Sequence, residues 1–314
     1  MSWRLSCPFC RSEVASKKGA SFQVVRQGWY RRQYDGRRIQ RFLCRLCNKS
    51  FSSLTHKPIW RQQKPYVNQD LTFLLCSGLS QRRVARHLRI DPKTVARRLV
   101  ALGDMARKVN KKHLDSRPPV EKACFDDMES SIHTKLKPVS IPMVVEEKTR
   151  EIIALRVCSM PAKGLLAAKS RKKYGPRKDE RREARLEVLR TLGRVAAPGL
   201  VVTSDKCPHY PALIKLALPD AKHVVVKGQR GCIAGQGELK KIGFDPLFSF
   251  NHTAAMARAN INRLIRKTWC ISKRMDRLQD HLDLYVWFHN HYLLKNPANK
   301  KPPGQVPRLK LLAA

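Results

Sequence analysis

Hydrophobic positions change period along the chain, and the changes mark out its elements. Between Leu71 and Leu102 apolar residues fall at helical spacing: Val84, Ala85 and Leu88 share a face of one short segment, Val95 and Leu99 a face of the next. Ser80 stands where it caps the first, and Asp91-Pro92 where a second helix begins. From Val120 the pattern is that of strands. Val120 to Phe125, Ile141 to Val145 and Ile152 to Val157 are three consecutive apolar runs, the last two joined by a polar turn over Glu146 to Arg150. Gly199 to Ser204 is a further buried strand closing on Asp205; Tyr210 to Leu218 reads as a helix and His223 to Val226 as a fifth strand. A loop with Gly228, Gly231, Gly235, Gly237 and Gly243 leads to Asp245, and Asn251 directly precedes a long helix through Arg258, Arg263, Arg266 and Lys267. Asp280 to Tyr292 is amphipathic.

These shifts predict a multidomain chain: a small cysteine-bearing domain over 1–57, a helical domain over 66–107, an α/β domain over 118–295 and a loosely ordered tail over 296–314. Lys108 to Pro119 is polar and reads as a linker. Within the α/β domain, residues 162–195 carry charge on nearly every side and predict a basic helical insertion, either an arm facing a ligand or a solvated helix.

Composition sharpens the picture. Lys and Arg number 64 against 24 Asp and Glu, a formal charge of +40 spread through 314 residues. Such a surplus repels itself, and a polyanion is its natural partner, which predicts nucleic-acid binding; a packing protein of ribosomal or chromatin type fits the charge as well. No apolar run approaches the roughly 18 residues of a membrane span and the N-terminus lacks a secretory signal, so a cytoplasmic location with no membrane partner is expected. There the ten cysteines stay reduced. Cys76, Cys124, Cys158, Cys207, Cys232 and Cys270 are scattered and read as small core residues.

The other four form Cys7-Pro-Phe-Cys10 and Cys44-Arg-Leu-Cys47. Two such knuckles complete a tetrahedral site with no open position, so a structural Zn²⁺ ribbon is expected, its metal supplying much of the stability of so small a segment. The two helices around the Leu88 to Asp91 turn predict a helix-turn-helix, with Lys93, Thr94, Arg97 and Arg98 of the second helix facing DNA. An ordinary helical hairpin is the competing reading.

Val120 to Glu129 is the stretch with candidate chemistry, because an apolar run ends abruptly in Asp126 and Asp127. Carboxylates beside an apolar segment are costly in water-poor surroundings unless a cation sits on them. Three successive strands followed by two more interleaved with helices is the order expected of a ribonuclease H-like α/β domain. There the ends of the first and fourth strands lie together, which would bring Asp126 to Asp205. A shared Mg²⁺ or Mn²⁺ relieves their repulsion and suits phosphoryl transfer.

The chain resembles bacterial insertion-sequence transposases of the insertion-sequence-one and ISXO-like groups over nearly its whole length. The resemblance is carried by the ribbon, the helix-turn-helix and three stretches: Phe125-Asp126-Asp127-Met128, similar to a strand-ending Asp-Glu-Met; Thr203-Ser204-Asp205, similar to a Thr-Asp motif; and Ile261 to Thr268, similar to an Arg-Leu-x-Arg-Lys-Thr helix. It implies a DDE-type enzyme that binds element terminal repeats and target DNA, cuts and joins strands, and works at least as a dimer in the bacterial cytoplasm, on the nucleoid. It makes Asp127 a flanking residue. It also places the third metal ligand on Asn251, where the family has Glu, and a phosphate-holding basic residue seven positions on, at Arg258. Asp245, Glu238 and His252 compete for the third position. An amide oxygen can ligate Mg²⁺ but adds no charge, so a transposon-derived DNA-binding regulator with an inert catalytic domain is the alternative; a ribonuclease H-type RNA-processing nuclease fits the helix-turn-helix less well.

Overall fold

The computed structural model describes residues 6–10, 23–33, 35–55, 62–227, 245–264 and 270–296, and the chain divides into two compact units, 1–67 and 68–314. In the first, β1 (Val24–Arg31), β2 (Arg38–Cys44) and β3 (Ser50–Ser52) form an antiparallel sheet in that order. Its core is little more than Cys7, Cys44 and Phe51, with Phe42 stacked on Phe51. So few apolar side chains cannot offset the entropy of ordering the segment, and a further source of stability is needed.

The second unit opens with α1 (Asn68–Leu75), α2 (Gln81–His87) and α3 (Pro92–Ser116). Ser80 caps α2 by accepting from the Arg83 amide at 3.4 Å, and Asp91 caps α3 by accepting from that of Lys93 at 2.7 Å. Arg89 turns the chain between them in the left-handed region, at φ 51°. α3 does not stop where a linker is expected: it continues through the polar stretch to Ser116. One face of that stretch is bound to α8 (Met275–Phe288), where Arg107 pairs with Asp280 and Asp283 at 3.1 and 2.7 Å and the Asn110 amide reaches the Asp283 carbonyl. Gly103 lets the helices touch, since a Cβ there would lie 2.5 Å from the Asp280 carbonyl oxygen.

Among the described residues six strands build the central sheet: β4 (Val120–Ser131), β5 (Pro138–Glu146), β6 (Ile152–Leu155), β7 (Cys158–Ser159), β8 (Ala196–Ser204) and β9 (Lys222–Val225). The order is β6-β5-β4-β8-β9 with β7 paired to β5, so the first strand of the sheet is central. β4 runs antiparallel to β5 and parallel to β8, and β8 parallel to β9. Alternation sorts side chains to two faces. Ala123, Phe125, Val144 and Val202 pack with α5 (Arg181–Gly193) and α6 (Tyr210–Ala217); Cys124, Met128, Met143 and Val145 share a core with α1, α3, α7 (Phe248–Asn260) and α8. A short helix, α4 (Leu166–Tyr174), precedes α5.

Several sequence expectations change here. α5 is no exposed insertion: Ala184, Leu186, Val188, Leu189 and Leu192 are buried, because a parallel β6-to-β8 crossover must lay its helix on the sheet. The third strand stops at Leu155, and the Val157 amide turns to the Gln279 side chain at 2.8 Å. α8 is buried all round from Leu278 to Phe288 rather than amphipathic. Several of its polar groups are partnered: Gln279 donates to Asp283, His281 Nε2 lies 3.0 Å from the Leu75 carbonyl, and Asn290 just beyond bonds both backbone groups of Ile152. α7 ends at Asn260 and Arg263 lies in a separate 3₁₀ turn, where it donates to Ser272 and the Arg277 carbonyl; Arg266, Lys267, the glycine loop and Glu238 lie outside the described residues, as does the tail from 297. Cys76, Cys124 and Cys158 are buried, Cys207 and Cys270 half-buried, and Cys232 lies outside the described residues.

Candidate functional site

The β4–β8 ladder closes on the pair Phe125 and Ser204. The next residue along each chain segment is an acid. Asp205 lies just past the end of β8, whereas Asp126 lies within β4 opposite Met143, because β4 runs on to Ser131 against β5 instead of ending at Phe125 as expected; the two acids meet where the β4–β8 ladder ends. Burial, and then the Asp205 charge, push the Asp126 carboxyl up from 3.8 to about 6 against two donors that favour the ionised form. Both donors act on Oδ1: the Asp127 amide at 2.7 Å and the Tyr210 hydroxyl at 2.9 Å. Burial and the neighbouring carboxylates of Asp127 and Asp126 push the Tyr210 phenol far upward, so it remains a donor across the working pH range. Asp205 is oriented in the same manner, its Oδ1 accepting from the Cys207 amide at 3.0 Å. Each acid thus has one oxygen held by the fold and a second that could meet a cation.

Asp127 belongs to a different arrangement. It points to the opposite face, where Arg185 of α5 grips it at 2.7 Å and the Ser140 hydroxyl donates to it at 2.7 Å. The Arg185 guanidinium also lies over the Tyr210 ring, 5.0 Å from its centroid. Arg185 and Tyr210 were not predicted from the sequence; the only available signal was an Arg and a Tyr among buried apolar positions, which does not name their partners.

Asn251 is the fourth residue of α7 rather than the residue before it. It is exposed, and its amide donates to Asp245 Oδ2 at 2.9 Å, while Asp245 Oδ1 accepts from the Leu247 amide. The following Pro246 carbonyl meets the Cys124 thiol at 3.8 Å, two residues before Asp126 on the same face of β4. Arg258 is half-buried on α7, nearly two full turns beyond Asn251 and so close to the same helix face. His252 is held elsewhere, its Nδ1 3.3 Å from Arg150.

On α3, Lys93 and Arg97 are exposed and Thr94 half-buried at the N-terminal end. Arg98 departs from expectation: it is 8% exposed and donates to the Asn68 side chain at 2.5 Å, because one helical step beyond Arg97 turns it into the core with Leu99. It holds α1 to α3 and offers nothing to a ligand.

In the first unit, Cys7 and Cys47 sulfurs lie 3.6 Å apart, as do those of Cys10 and Cys44, and all four fall within 4.8 Å of one another. A tetrahedron with Zn–S bonds of about 2.3 Å has S···S edges of about 3.8 Å, so the four cysteines fit a zinc ion. Desolvation, and then the crowding of Cys7, Cys44 and Cys10, push the Cys47 thiol up to about 12, a cost that a bound cation reverses. Among the described residues this is the only group of three or more His, Cys, Asp or Glu placed to share an ion.

No sequence-family description matches the chain, and no curated protein does. Among solved structures, the crystal structure of the Mos1 strand transfer complex is similar at a TM-score of 0.24 and 10% identity, over 70% of this chain and 75% of that one. At that TM-score the likeness carries no argument about fold or function. No described helix is long and apolar enough to cross a membrane.

Proposed function

We propose that the protein is a DNA transposase: a metal-dependent strand transferase of ribonuclease H-like architecture that binds element ends and target DNA. The observation that carries this reading is the end of the β4–β8 ladder, which sets Asp126 beside Asp205 and leaves Asp126 poised near pH 6. A central first strand, β4, antiparallel to β5 on one side and parallel to β8 on the other, supports the same architecture. Asp126 and Asp205 would hold Mg²⁺ or Mn²⁺, with Asn251, bonded to Asp245, as third ligand. Such an ion supplies charge stabilisation to an in-line phosphoryl displacement. The chain's own part is orientation: Tyr210 and the Asp127 amide fix Asp126, the Cys207 amide fixes Asp205, and Arg258 binds a phosphate. α2 and α3 act as a helix-turn-helix presenting Lys93, Thr94 and Arg97 to the major groove, and the four cysteines hold structural zinc. Joining two element ends calls for at least a dimer.

The test is strand cleavage and joining on duplexes carrying the sequence that flanks the protein's own gene, in Mg²⁺. Asp126→Ala and Asp205→Ala should abolish both reactions and leave binding intact; full activity in either variant sinks the assignment. A second reading, a transposon-derived regulator that binds DNA without cutting it, is favoured by the site's third position, where Asn251 brings no charge. Sequence-specific binding by the wild-type protein with no cleavage in Mg²⁺ or Mn²⁺ would decide for it.

A further inference from the structure

Two basic hollows share Arg82. The first, about 740 Å³, is lined by Arg82, Arg97, Arg263, Lys273, Arg274 and Arg277 among its charged residues, with no carboxylate among the described residues. The second, about 420 Å³, is lined by Arg82, Arg86 and Arg89 with Ala85, Ile90 and Pro92, again with no carboxylate. Not all this charge is available. Arg274 is paired with Asp276 and Arg277 with Asp280, and the half-buried Arg263 is engaged as a strut. Arg82 and Lys273, by contrast, are exposed and have no ion pair among the described residues.

The walls are fixed to each other. Gly78, just before α2, donates its amide to the Asn260 carbonyl at 2.7 Å and accepts from the Asn262 side chain at 2.9 Å. Arg263 in turn ties that 3₁₀ turn to Ser272 and Arg277, both at 3.1 Å. The start of α2 and the segment 272–277 are therefore one preformed surface, and binding there pays little ordering entropy.

The geometry points to a second DNA contact, made by the segment before α8 together with α2: a cationic track from Arg89 and Arg86 through Arg82 to Lys273 that grips the phosphodiester backbone beside the base pairs met by α3. A discrete phosphate would call for donors converging on one point. Here the cations are spread along two adjoining hollows, which suits a polymer with a charge at every step. Arg97 lines the larger hollow and also stands on the exposed face of α3, so the track is continuous with the proposed reading helix. The inference rests on the DNA-binding reading but not on catalysis.

Full-length Arg82→Gln/Lys273→Gln protein should be compared with wild type and with Arg190→Gln/Lys215→Gln, two exposed cations on α5 and α6. Duplex affinity is measured by fluorescence anisotropy between 50 and 200 mM salt, on several sequences. With about 0.9 of log–log slope per phosphate contact, the track variant should lose close to 2 from the slope, about 12-fold less salt sensitivity over that range, with sequence preference unchanged. The control should keep the wild-type slope. An unaltered slope in the track variant, an equal loss in the control, or a preference for duplex RNA overturns the inference while leaving cleavage untouched. A wild-type protein with no duplex affinity overturns the DNA reading itself, and this inference with it.

Discussion

Replacing Asp126 by Asn should make the metal-free protein more stable. In the fold the Asp126 carboxyl titrates at about 6, against 3.8 ordinarily, chiefly through burial and then through Asp205. Between those two values the native state binds more protons than the unfolded chain, so stability falls as pH rises through the window. The protonated acid's advantage is complete below about pH 3.8 and lost above about pH 6. Two units at 1.36 kcal/mol each set the cost of ionised Asp126 at roughly 2–3 kcal/mol at neutral pH. Asn keeps an oxygen for the Tyr210 hydroxyl and the residue 127 amide, and it carries no charge. For a unit of about 250 residues this corresponds to a rise of roughly 5–10 °C in the thermal midpoint. The assay is the unfolding midpoint of both proteins in Mg²⁺-free buffer from pH 4.5 to 8. The gap should open with pH and level off above pH 7, and millimolar Mg²⁺ should close it by stabilising the wild type alone. A variant of equal or lower stability at pH 7.5 refutes the reasoning, because it would mean that Asp126 is comfortably solvated.

Three further outcomes follow from the packing. Gly103→Ala should lower the thermal midpoint by several degrees: the added methyl meets the Asp280 backbone at 2.5 Å, and overpacking at about 1–3 kcal/mol outweighs up to about 1 kcal/mol of helix propensity. Arg185→Met should cost about 3–5 kcal/mol by leaving Asp127 buried without its cation, and adding Asp127→Asn should recover most of it, read from denaturant midpoints of the single and double variants. Cys44→Ser should cut the zinc content measured by plasma mass spectrometry from one ion per chain towards none and expose residues 1–67 to protease, while 68–314 keeps its unfolding midpoint.

Local rules made much of this molecule legible. Ser80 and Asp91 cap their helices because short polar side chains before a helical period satisfy amides that lack partners. The strands announced themselves as β-branched runs, and two Cys-x-x-Cys knuckles are a local chelating geometry that long-range packing brings together. Where the pattern misled, the deciding contact lay far along the chain. α5 looked solvated because its basic residues mask a buried stripe whose partners are strands on either side of it in sequence. The stretch from Asp280 looked amphipathic because Asp280, His281 and Asp283 are polar, but Arg107 and the Leu75 carbonyl meet them from distant segments.

The sequence by itself determined most element types, the cysteine pairs and the acid that follows β8, all of which follow from periods and spacings within a few residues; it ended the first strand too early, at Phe125, where β4 runs on to Ser131. Only the tertiary structure decided which of two adjacent acids is free. Asp126 and Asp127 are chemically alike and point to opposite faces because side chains alternate along a strand. On one face Arg185 neutralises Asp127 and Ser140 donates to it; Asp126, on the other, is set against Asp205, with one oxygen held by the Tyr210 hydroxyl, which reaches it from α6. Apart from Ser140, 13 positions on, that difference is made by residues 58 and 84 positions away, Arg185 and Tyr210, and by Asp205, and no local pattern contains it.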